Sequence, residues 1–134
     1  MTNNKYLAKI IASDRDGLQL ISAFCMGAEI KVADIKYLKK NKLFLLSLLR
    51  KKNESENSNK KINSICKFDF VDRVKSKNIK QHDLDSILKL IAIDYIKSND
   101  NYEINLIFDN NACITLFTEI IEIRLEDQNE TVEK

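Results

Sequence analysis

The sequence predicts an α+β domain, mainly an antiparallel β barrel or sandwich of six to eight strands, with an N-terminal strand and helix and a C-terminal helix. Short apolar runs with two-residue periodicity recur along the chain and are separated by polar turns. Helical spacing dominates one N-terminal segment and recurs near the end. A chain of 134 residues, 44% hydrophobic and 31% charged, is typical of a single globular domain, so we take residues 1–134 as one domain.

The N-terminal segment predicts a strand followed by a helix. Residues 5–12, "KYLAKIIA", alternate as a strand does. Ser13 or Asp14 is suited to cap a helix over about 15–26. Gly27 follows where a left-handed glycine commonly ends a helix.

The next segment predicts a hairpin with an irregular first strand. The apolar positions of residues 29–38 change parity near Ala33, which indicates a bulge. "KKNK" then turns the chain, with Asn41 suited to an unusual backbone angle. Residues 43–49, "LFLLSLL", are apolar on both faces, which is typical of a central strand. Residues 51–61 lack apolar side chains and predict a mobile loop.

The second half of the chain predicts further strands and two helices. Residues 62–79 hold one or two strands with a break near Asp69, and Asp83 is suited to cap a short helix that reaches Ile91. Strands follow up to Lys97, over 102–108 and over 112–117, with turns at "SNDN" and "DNN". The spacing after Thr118 favours a C-terminal helix, although its β-branched isoleucines also suit a strand. Residues 127–134 predict a frayed tail. This element order resembles the pleckstrin-homology type of barrel.

An internal similarity predicts that the two halves share one plan. "IKYLKKN", residues 35–41, resembles "IDYIKSN", residues 93–99, at an offset of 58. After one 11-residue gap in the loop 51–61, Cys66 aligns with Cys113, Phe70 with Phe117, and Val74 with Ile121. The hypothesis is a duplication over about 29–79 and 87–127. The alternative is that two meanders in a chain rich in Ile, Lys and Asn resemble each other by composition alone.

Motifs for catalysis, metals and nucleotides are absent from the sequence. His82 is the single histidine and lies in a polar connector, which is typical of a surface residue. The three cysteines are widely spaced among apolar neighbours, so we expect buried thiols and neither a disulfide framework nor a metal site. Two glycines cannot build a phosphate cradle of the usual type. Carboxylate pairs such as Asp14 with Asp16 fall at predicted turns. We therefore expect no catalytic residues, no cofactor and no metal.

Charge is distributed unevenly along the chain. Residues 31–80 contain 15 Lys/Arg and 5 Asp/Glu, whereas the remainder contains 7 and 15. If the loops gather at one end of the domain, seven lysines form a positive rim that suits nucleic acid or an anionic lipid surface. These candidate anion-binding residues are Lys39, Lys40, Lys42, Lys51, Lys52, Lys60 and Lys61. The alternative is that edge lysines only discourage aggregation.

Two absences bear on localisation. The longest apolar run is far shorter than the roughly 20 residues of a membrane-spanning helix. The N-terminus lacks a signal-peptide core. We therefore expect a cytoplasmic protein without a membrane span.

Several motifs resemble a family of short, uncharacterised alphaproteobacterial proteins known only as a domain of unknown function. They are Ile21–Ala23, Lys31–Leu38, the run from Phe68 to Ile79 with one extra residue, and Ile121–Asp127. Members often carry a His where this chain has Phe24, and this departure argues against a general catalytic role at that position. The resemblance implies a cytoplasmic bacterial protein and brings no activity, substrate or cofactor.

The sequence thus favours a protein of unknown function that acts as a non-catalytic interaction or assembly module. Its partner is an unknown protein or a second copy of the chain. The alternative is an anionic-ligand binder, with nucleic acid as the first candidate, which uses the lysine rim. An enzyme with an unrecognised site is the third reading.

Overall fold

The computed structural model describes residues 7–51 and 61–131, with side chains up to Gln128. One helix, α1, spans Arg15–Cys25. The ten strands of the described residues are β1 Lys9–Ala12, β2 Glu29–Lys31, β3 Ile35–Leu38, β4 Leu43–Lys51, β5 Lys61–Phe68, β6 Val71–Lys77, β7 Ile87–Ser98, β8 Asn101–Phe108, β9 Cys113–Thr118 and β10 Ile123–Thr131. They form one antiparallel sheet in the order β1-β10-β5-β4-β2-β7-β8-β9-β6, and β3 also pairs with β4.

The predicted class, mainly antiparallel β with an N-terminal strand and helix, is confirmed, but four details of the prediction are wrong. The sheet has ten strands instead of six to eight, and it is not closed, because β1 and β6 are its two ends. The C-terminal helix is the strand β10, and the short helix expected after Asp83 is part of β7. After Asp83, the apparent helical spacing came from the exposed apolar side chains Leu84, Ile87 and Ile91 beside the buried positions Leu88 and Leu90. After Thr118, Ile121, Ile123 and Leu125 are buried in alternation, as in a strand.

The N-terminal helix forms where its local signals predict it. The Asp14 carboxylate accepts a hydrogen bond of 2.8 Å from the Gly17 N–H, which caps the first turn. Gly17 also allows the helix to return close to β1, because a Cβ there would lie 2.8 Å from the Ala12 Cβ. Gly27 adopts a φ of 84°, the left-handed conformation expected after the helix.

Most predicted strands and turns of the middle segment are present. The parity change near Ala33 is a 3₁₀ turn, Val32–Asp34, which separates β2 from β3. The β3–β4 turn is left-handed at Lys42 instead of Asn41. The break near Asp69 separates β5 from β6. Strand β4 is central, as its two apolar faces indicate, because it pairs with β5 on one side and with β2 and β3 on the other.

The sheet order reads as a palindrome around its middle. We define the first half as β2 to β6 and the second half as β7 to β10. If β2 and β3 are counted as one interrupted strand, two hairpins in each half place the first three strands side by side, and the fourth strand leaves to pair with the third strand of the other half. Thus β6 pairs with β9, and β10 pairs with β5.

The centre of this palindrome lies at Ile30 and Leu88, which pair with each other and are 58 positions apart. Tyr37 packs on Phe44 with ring centroids 6.4 Å apart, and 58 positions later Tyr95 packs on Tyr102 at 5.6 Å. The duplication remains a prediction, and these relations support it.

The last strands correspond at a different offset from the predicted 47. Phe44 pairs with Phe68, and Tyr102 pairs with Thr118, so the pairing relates Phe68 to Thr118 at an offset of 50. Cys66 then corresponds to Leu116 instead of Cys113. The gap in the repeat still falls between β4 and β5, where residues 52–60 lie outside the described part of the chain. The predicted frayed tail begins within β10, and 132–134 lie outside the description.

Candidate functional site

Two grooves lie at corresponding positions of this symmetric strand order. A segment of the same chain fills one of them. We call β1 and α1 together the arm, and the space that it occupies between β10 and β7 the arm groove. Strand β1 pairs with β10, and α1 packs on β7, where the Ser22 hydroxyl accepts a hydrogen bond of 2.9 Å from the Ile93 N–H. The guanidinium of Arg15 lies 4.9 Å from the centre of the Tyr95 ring.

The floor of the arm groove is a buried polar cluster. The Arg50 guanidinium donates to both carboxylate oxygens of Asp127, at 3.1 Å from Nε and 2.7 Å from Nη2. The Ser64 hydroxyl donates to the same carboxylate, and so does the Ala8 N–H at 2.8 Å. The side chains of Arg50 and Asp127 are 2% and 0% exposed. Arg50 also stacks on Phe24 of α1, 5.0 Å from its ring centre. This cluster holds the arm in place.

The protonation equilibria around this cluster favour an intact ion pair. Burial acts to raise the pKa of the Asp127 carboxyl, but the hydrogen bonds from Arg50, Ser64 and the Ala8 N–H outweigh it and hold that pKa below its ordinary value. Burial raises the pKa of the Cys25 thiol to about 12 and that of Cys66 well above its ordinary value. Both thiols are therefore protonated at neutral pH and poorly nucleophilic.

The other groove, between β3 and β6, has no arm. This open groove has a volume of about 320 Å³. No charged side chain lines it; its lining residues are Val32, Ala33, Ile35, Tyr37, Phe44, Val74, Ser76, Ile79, Gln81, Leu84 and Ile114. Leu84 is 56% exposed at its mouth. The floor positions that correspond to Ser64 and Asp127 are Ile114 and Ser76, so the polar cluster has no counterpart here.

Contacts at both ends fix the shape of the open groove. At one end, the Tyr37 hydroxyl donates to the Val71 carbonyl at 2.8 Å, and the Val71 N–H donates to the Lys42 carbonyl at 2.8 Å. At the other end, the Ala33 N–H donates to the Leu84 carbonyl at 3.1 Å, and Gln81 donates to the Ser76 hydroxyl at 3.0 Å. Strands β3 and β6 are therefore held at a fixed separation, and the groove is preformed.

One side of the open groove is an unpaired strand edge. Strand β6 ends the sheet, and beyond the Val71 contact no described residue forms a strand pair with its free side. Basic side chains surround this edge. The groove-forming segments 31–42 and 71–80 together contain nine Lys/Arg and two Asp/Glu. The open groove is thus apolar inside and positively charged around its rim.

The structure does not bring the predicted lysine rim together. Lys39, Lys40 and Lys42 lie at the β3–β4 turn, whereas Lys51 and Lys61 lie at the opposite end of β4, about 30 Å away for a strand of nine residues. Successive hairpin turns of a meander alternate between the two ends of the sheet. Lys42 forms an ion pair of 3.0 Å with Asp72, and the hydrogen bond from Lys42 to Asp72 raises the pKa of the lysine. Lys61 lies 3.9 Å from Glu29. Lys52 and Lys60 are outside the described residues.

Other chemistry-bearing side chains remain scattered. His82 is exposed in the connection between β6 and β7, as predicted. Cys25 and Cys66 are buried, Cys113 is half-buried, and all three are free. Within residues 7–51 and 61–131, no cluster of His, Cys, Asp or Glu has the composition of a metal site. No helix of the described chain is long and apolar enough to cross a membrane.

A second depression lies on the outer surface of the first half. It measures about 390 Å³ and mixes charged, polar and apolar side chains, among them Glu29, Lys31, Leu49, Asn63 and Ile87. Its lining carries both signs of charge, from Glu29, Asp34 and Lys31. It therefore has fewer features of a specific site than the open groove.

Sequence reasoning missed the functional geometry because it depends on pairing between distant strands. Arg50 and Asp127 are 77 positions apart, and each taken alone is an ordinary polar residue at a strand end. A charged residue in an inward-facing register, as Arg50 is after Phe44, Leu46 and Leu48, was the one available signal.

Comparisons with known proteins identify a family without an activity. Residues 8–134 match the sequence model of a family described as "Protein of unknown function (DUF2948)". No curated protein and no solved structure matches the chain.

Proposed function

The chain belongs to this family of unknown function. From the geometry of the two grooves, we propose that it is a non-catalytic interaction module that binds a polypeptide segment in the open groove. The main support is that the arm, a strand and helix of the same chain, fills the corresponding groove of the other half. The fold therefore already contains one example of a polypeptide seated in this geometry. The internal duplication is part of the proposal, since it is what makes the two grooves equivalent.

The composition of the open groove suits a protein ligand. Its interior is apolar and preformed, so a ligand would bury hydrophobic side chains there without a large ordering cost in the module. The free edge of β6 offers unpaired backbone groups for main-chain hydrogen bonds, as in proteins that bind peptides by adding a strand. A catalytic role receives no comparable support, because the lining contains no carboxyl, imidazole, amine or thiol group, and its Tyr37 hydroxyl is hydrogen-bonded to the Val71 carbonyl.

Self-association through the same edge is disfavoured by charge. Two antiparallel copies of β6 centred on Val74 would place Arg73 of one copy opposite Lys75 of the other. Like charges in directly opposed positions destabilise a strand pair. A different polypeptide is therefore the better occupant.

That the protein is cytoplasmic and bacterial is also part of the proposal.

The test is capture of partner proteins by a groove-filling variant and a matched control. Ser76 is exposed in β6 and lines the open groove, so Ser76→Trp fills the groove without disturbing the core. Ile96 is 55% exposed on β7 and does not line it, so Ile96→Trp adds the same side chain elsewhere. Lysates with and without nuclease treatment, both at moderate salt, provide the prey, and circular dichroism checks the folding of each variant.

We expect a discrete protein that the wild type and Ile96→Trp retain and Ser76→Trp loses. Equal capture by all three proteins, or no captured protein, would contradict the proposal. Retention that disappears after nuclease treatment would favour the anionic-ligand alternative, with nucleic acid bound by the basic rim.

A further inference from the structure

The arm provides a template for the ligand of the open groove, and this inference rests on the proposed function. Strand β1 runs antiparallel to β10 with Ile10 opposite Leu125 and Lys9 opposite Glu126. Ile10 packs against the core, and Lys9 is exposed. The arm strand thus places an apolar residue towards the groove and next to it a charge that is opposite in sign to its cross-strand neighbour.

Strand β6 corresponds to β10 residue by residue over this stretch. Leu125 pairs with Cys66, and Val74 pairs with Leu116, which corresponds to Cys66, so Val74 takes the place of Leu125. By the same pairing, Lys75 takes the place of Glu126, and Arg73 takes the place of Arg124. The charge at the Glu126 position is therefore reversed between the two edges.

From this correspondence we infer that the ligand is an acidic, extended segment of a partner protein that adds as an antiparallel strand to β6. It places an apolar side chain opposite Val74 and an acidic side chain opposite Lys75. At the position of Arg73 the template assigns no charge, because the arm has Ile11 opposite Arg124. Cross-strand pairs of opposite charge stabilise antiparallel strands, and the flanking lysines increase the rate of association with an acidic segment. The irregularity in pairing between Val71 and Arg73 limits the regular edge to Arg73–Lys77, which is long enough for a ligand strand of about five residues.

The same features argue against two other ligands. Nucleic acid would meet basic side chains at the rim, but the lining of the groove is apolar and its two aromatic rings, Tyr37 and Phe44, pack on each other. A helix would leave the backbone groups of the β6 edge unpaired, whereas a strand satisfies them.

The experiment selects ligands from a display library of random 12-residue peptides on the intact wild-type protein. We expect the enriched peptides to carry net negative charge and to alternate acidic and apolar residues. Binding of a selected peptide is then measured by fluorescence anisotropy, with a single-stranded 12-nucleotide RNA as the competing ligand class.

Two double variants with equal net charge test the register. Lys75→Glu with Lys77→Glu reverses the charge of the β6 edge, and Lys89→Glu with Lys97→Glu makes the same change on β7. We expect the first pair to weaken the selected peptide by about tenfold or more and the second pair to change its affinity less than about twofold. A peptide whose acids are replaced by lysines should regain affinity for the first pair.

The outcomes separate the inference from the proposed function. If Ser76→Trp abolishes binding of the selected peptides but the β6 charge reversal does not weaken it, the acidic-strand inference is overturned and the proposed function stands. If enriched peptides have helical periodicity or positive charge, or if none is enriched, the inference is overturned. Tight RNA binding that Ser76→Trp abolishes would also overturn it. If Ser76→Trp leaves peptide binding unchanged, both fall.

Discussion

The two halves of the sheet have similar strand arrangements but differ in what occupies the groove beside each. In both, the first strand is irregular at the same place, near Ala33 and near Ile91, and an aromatic pair follows at an offset of 58. On one side of the molecule the resulting groove holds the arm over a buried ion pair. On the other side the corresponding groove is apolar, open and surrounded by basic side chains. The difference teaches that two similar arrangements of strands can differ in what occupies the groove beside them, and under the proposed function the unoccupied groove is the binding surface.

The residues that carry the difference are few. Arg50, Ser64 and Asp127 line the floor of the arm groove, and Phe108, Ile114 and Ser76 are their counterparts in the other half. A buried ion pair of this kind is costly to break but not necessarily stabilising compared with apolar side chains. We regard it as the device that directs the arm to one groove, since the carboxylate of Asp127 accepts from the backbone of the arm segment at Ala8.

The largest expected effect comes from removing one member of this cluster. Asp127→Ala leaves the Arg50 guanidinium buried without its counter-ion and the Ser64 hydroxyl without its acceptor. We expect the free energy of unfolding to fall by about 3–5 kcal/mol. Urea denaturation followed by circular dichroism measures it, with Ser76→Ala at the corresponding position as the control. A loss below about 1 kcal/mol would mean that the ion pair does not hold the arm.

Replacing the polar cluster of the arm groove by its counterparts around the open groove should recover most of that loss. The triple variant Arg50→Phe, Ser64→Ile, Asp127→Ser installs the counterparts found in the other half. Replacing a buried ion pair by apolar side chains is often neutral or stabilising. We expect the triple variant to be more stable than Asp127→Ala by about 2 kcal/mol or more, again in urea. A triple variant less stable than Asp127→Ala would contradict the proposed correspondence between the two sets of residues.

Acid should weaken the ion pair below the arm. Because the pKa of Asp127 in the folded protein lies below the value of about 3.9 in an unfolded chain, its ionised carboxylate stabilises the fold above that value. This contribution is lost as the pH falls through the folded pKa. Asp127→Asn cannot titrate, so the stability difference between wild type and variant should shrink from pH 6 towards pH 3. A difference that stays constant or grows in acid would contradict the assignment.

The smallest effect concerns the paired tyrosines. Tyr37 donates to the Val71 carbonyl and closes one end of the open groove, whereas the Tyr95 hydroxyl has no hydrogen bond among the described residues. We expect Tyr37→Phe to cost about 1 kcal/mol of stability and Tyr95→Phe less than about 0.5 kcal/mol. Thermal or urea unfolding of the two single variants distinguishes them. Equal losses of stability would indicate that the hydrogen bond from Tyr37 to Val71 does not distinguish Tyr37 from Tyr95.

The helix ends and turns were predicted correctly because neighbouring residues determine them. The Asp14 cap, the Gly27 terminus and the turns at Asn99 and Asn110 each depend on a few neighbouring residues, and all of them lie where the sequence indicates. Strand β10 could not be distinguished from a helix, because Ile121 and Leu125 also fit helical spacing after Thr118, and its partners β1 and β5 are distant in sequence. Non-local pairing, which a single sequence does not reveal, decides such cases.

The sequence indicated the basic charge around the candidate site but not the geometry of the groove. The excess of basic residues in 31–80 was visible in the sequence, but the lysines were assigned to one rim although the turns at Lys42 and Lys51 lie at opposite ends of β4. The groove itself arises from β3 and β6, whose pairing with different neighbours leaves a space between them. Its apolar lining comes from five separate segments, which no local pattern combines.

Hydrogen–deuterium exchange of β6 and β10, with and without a selected peptide, tests the central claim most directly. Strand β10 pairs with β1 on one side and with β5 on the other, so its amides should exchange slowly in both states. The β6 amides of Arg73–Lys77 that face the open groove should exchange faster in the free protein and become protected when the peptide binds. Protection of β6 confined to the bound state is the predicted result. A bound peptide that leaves β6 exchange unchanged would contradict the account.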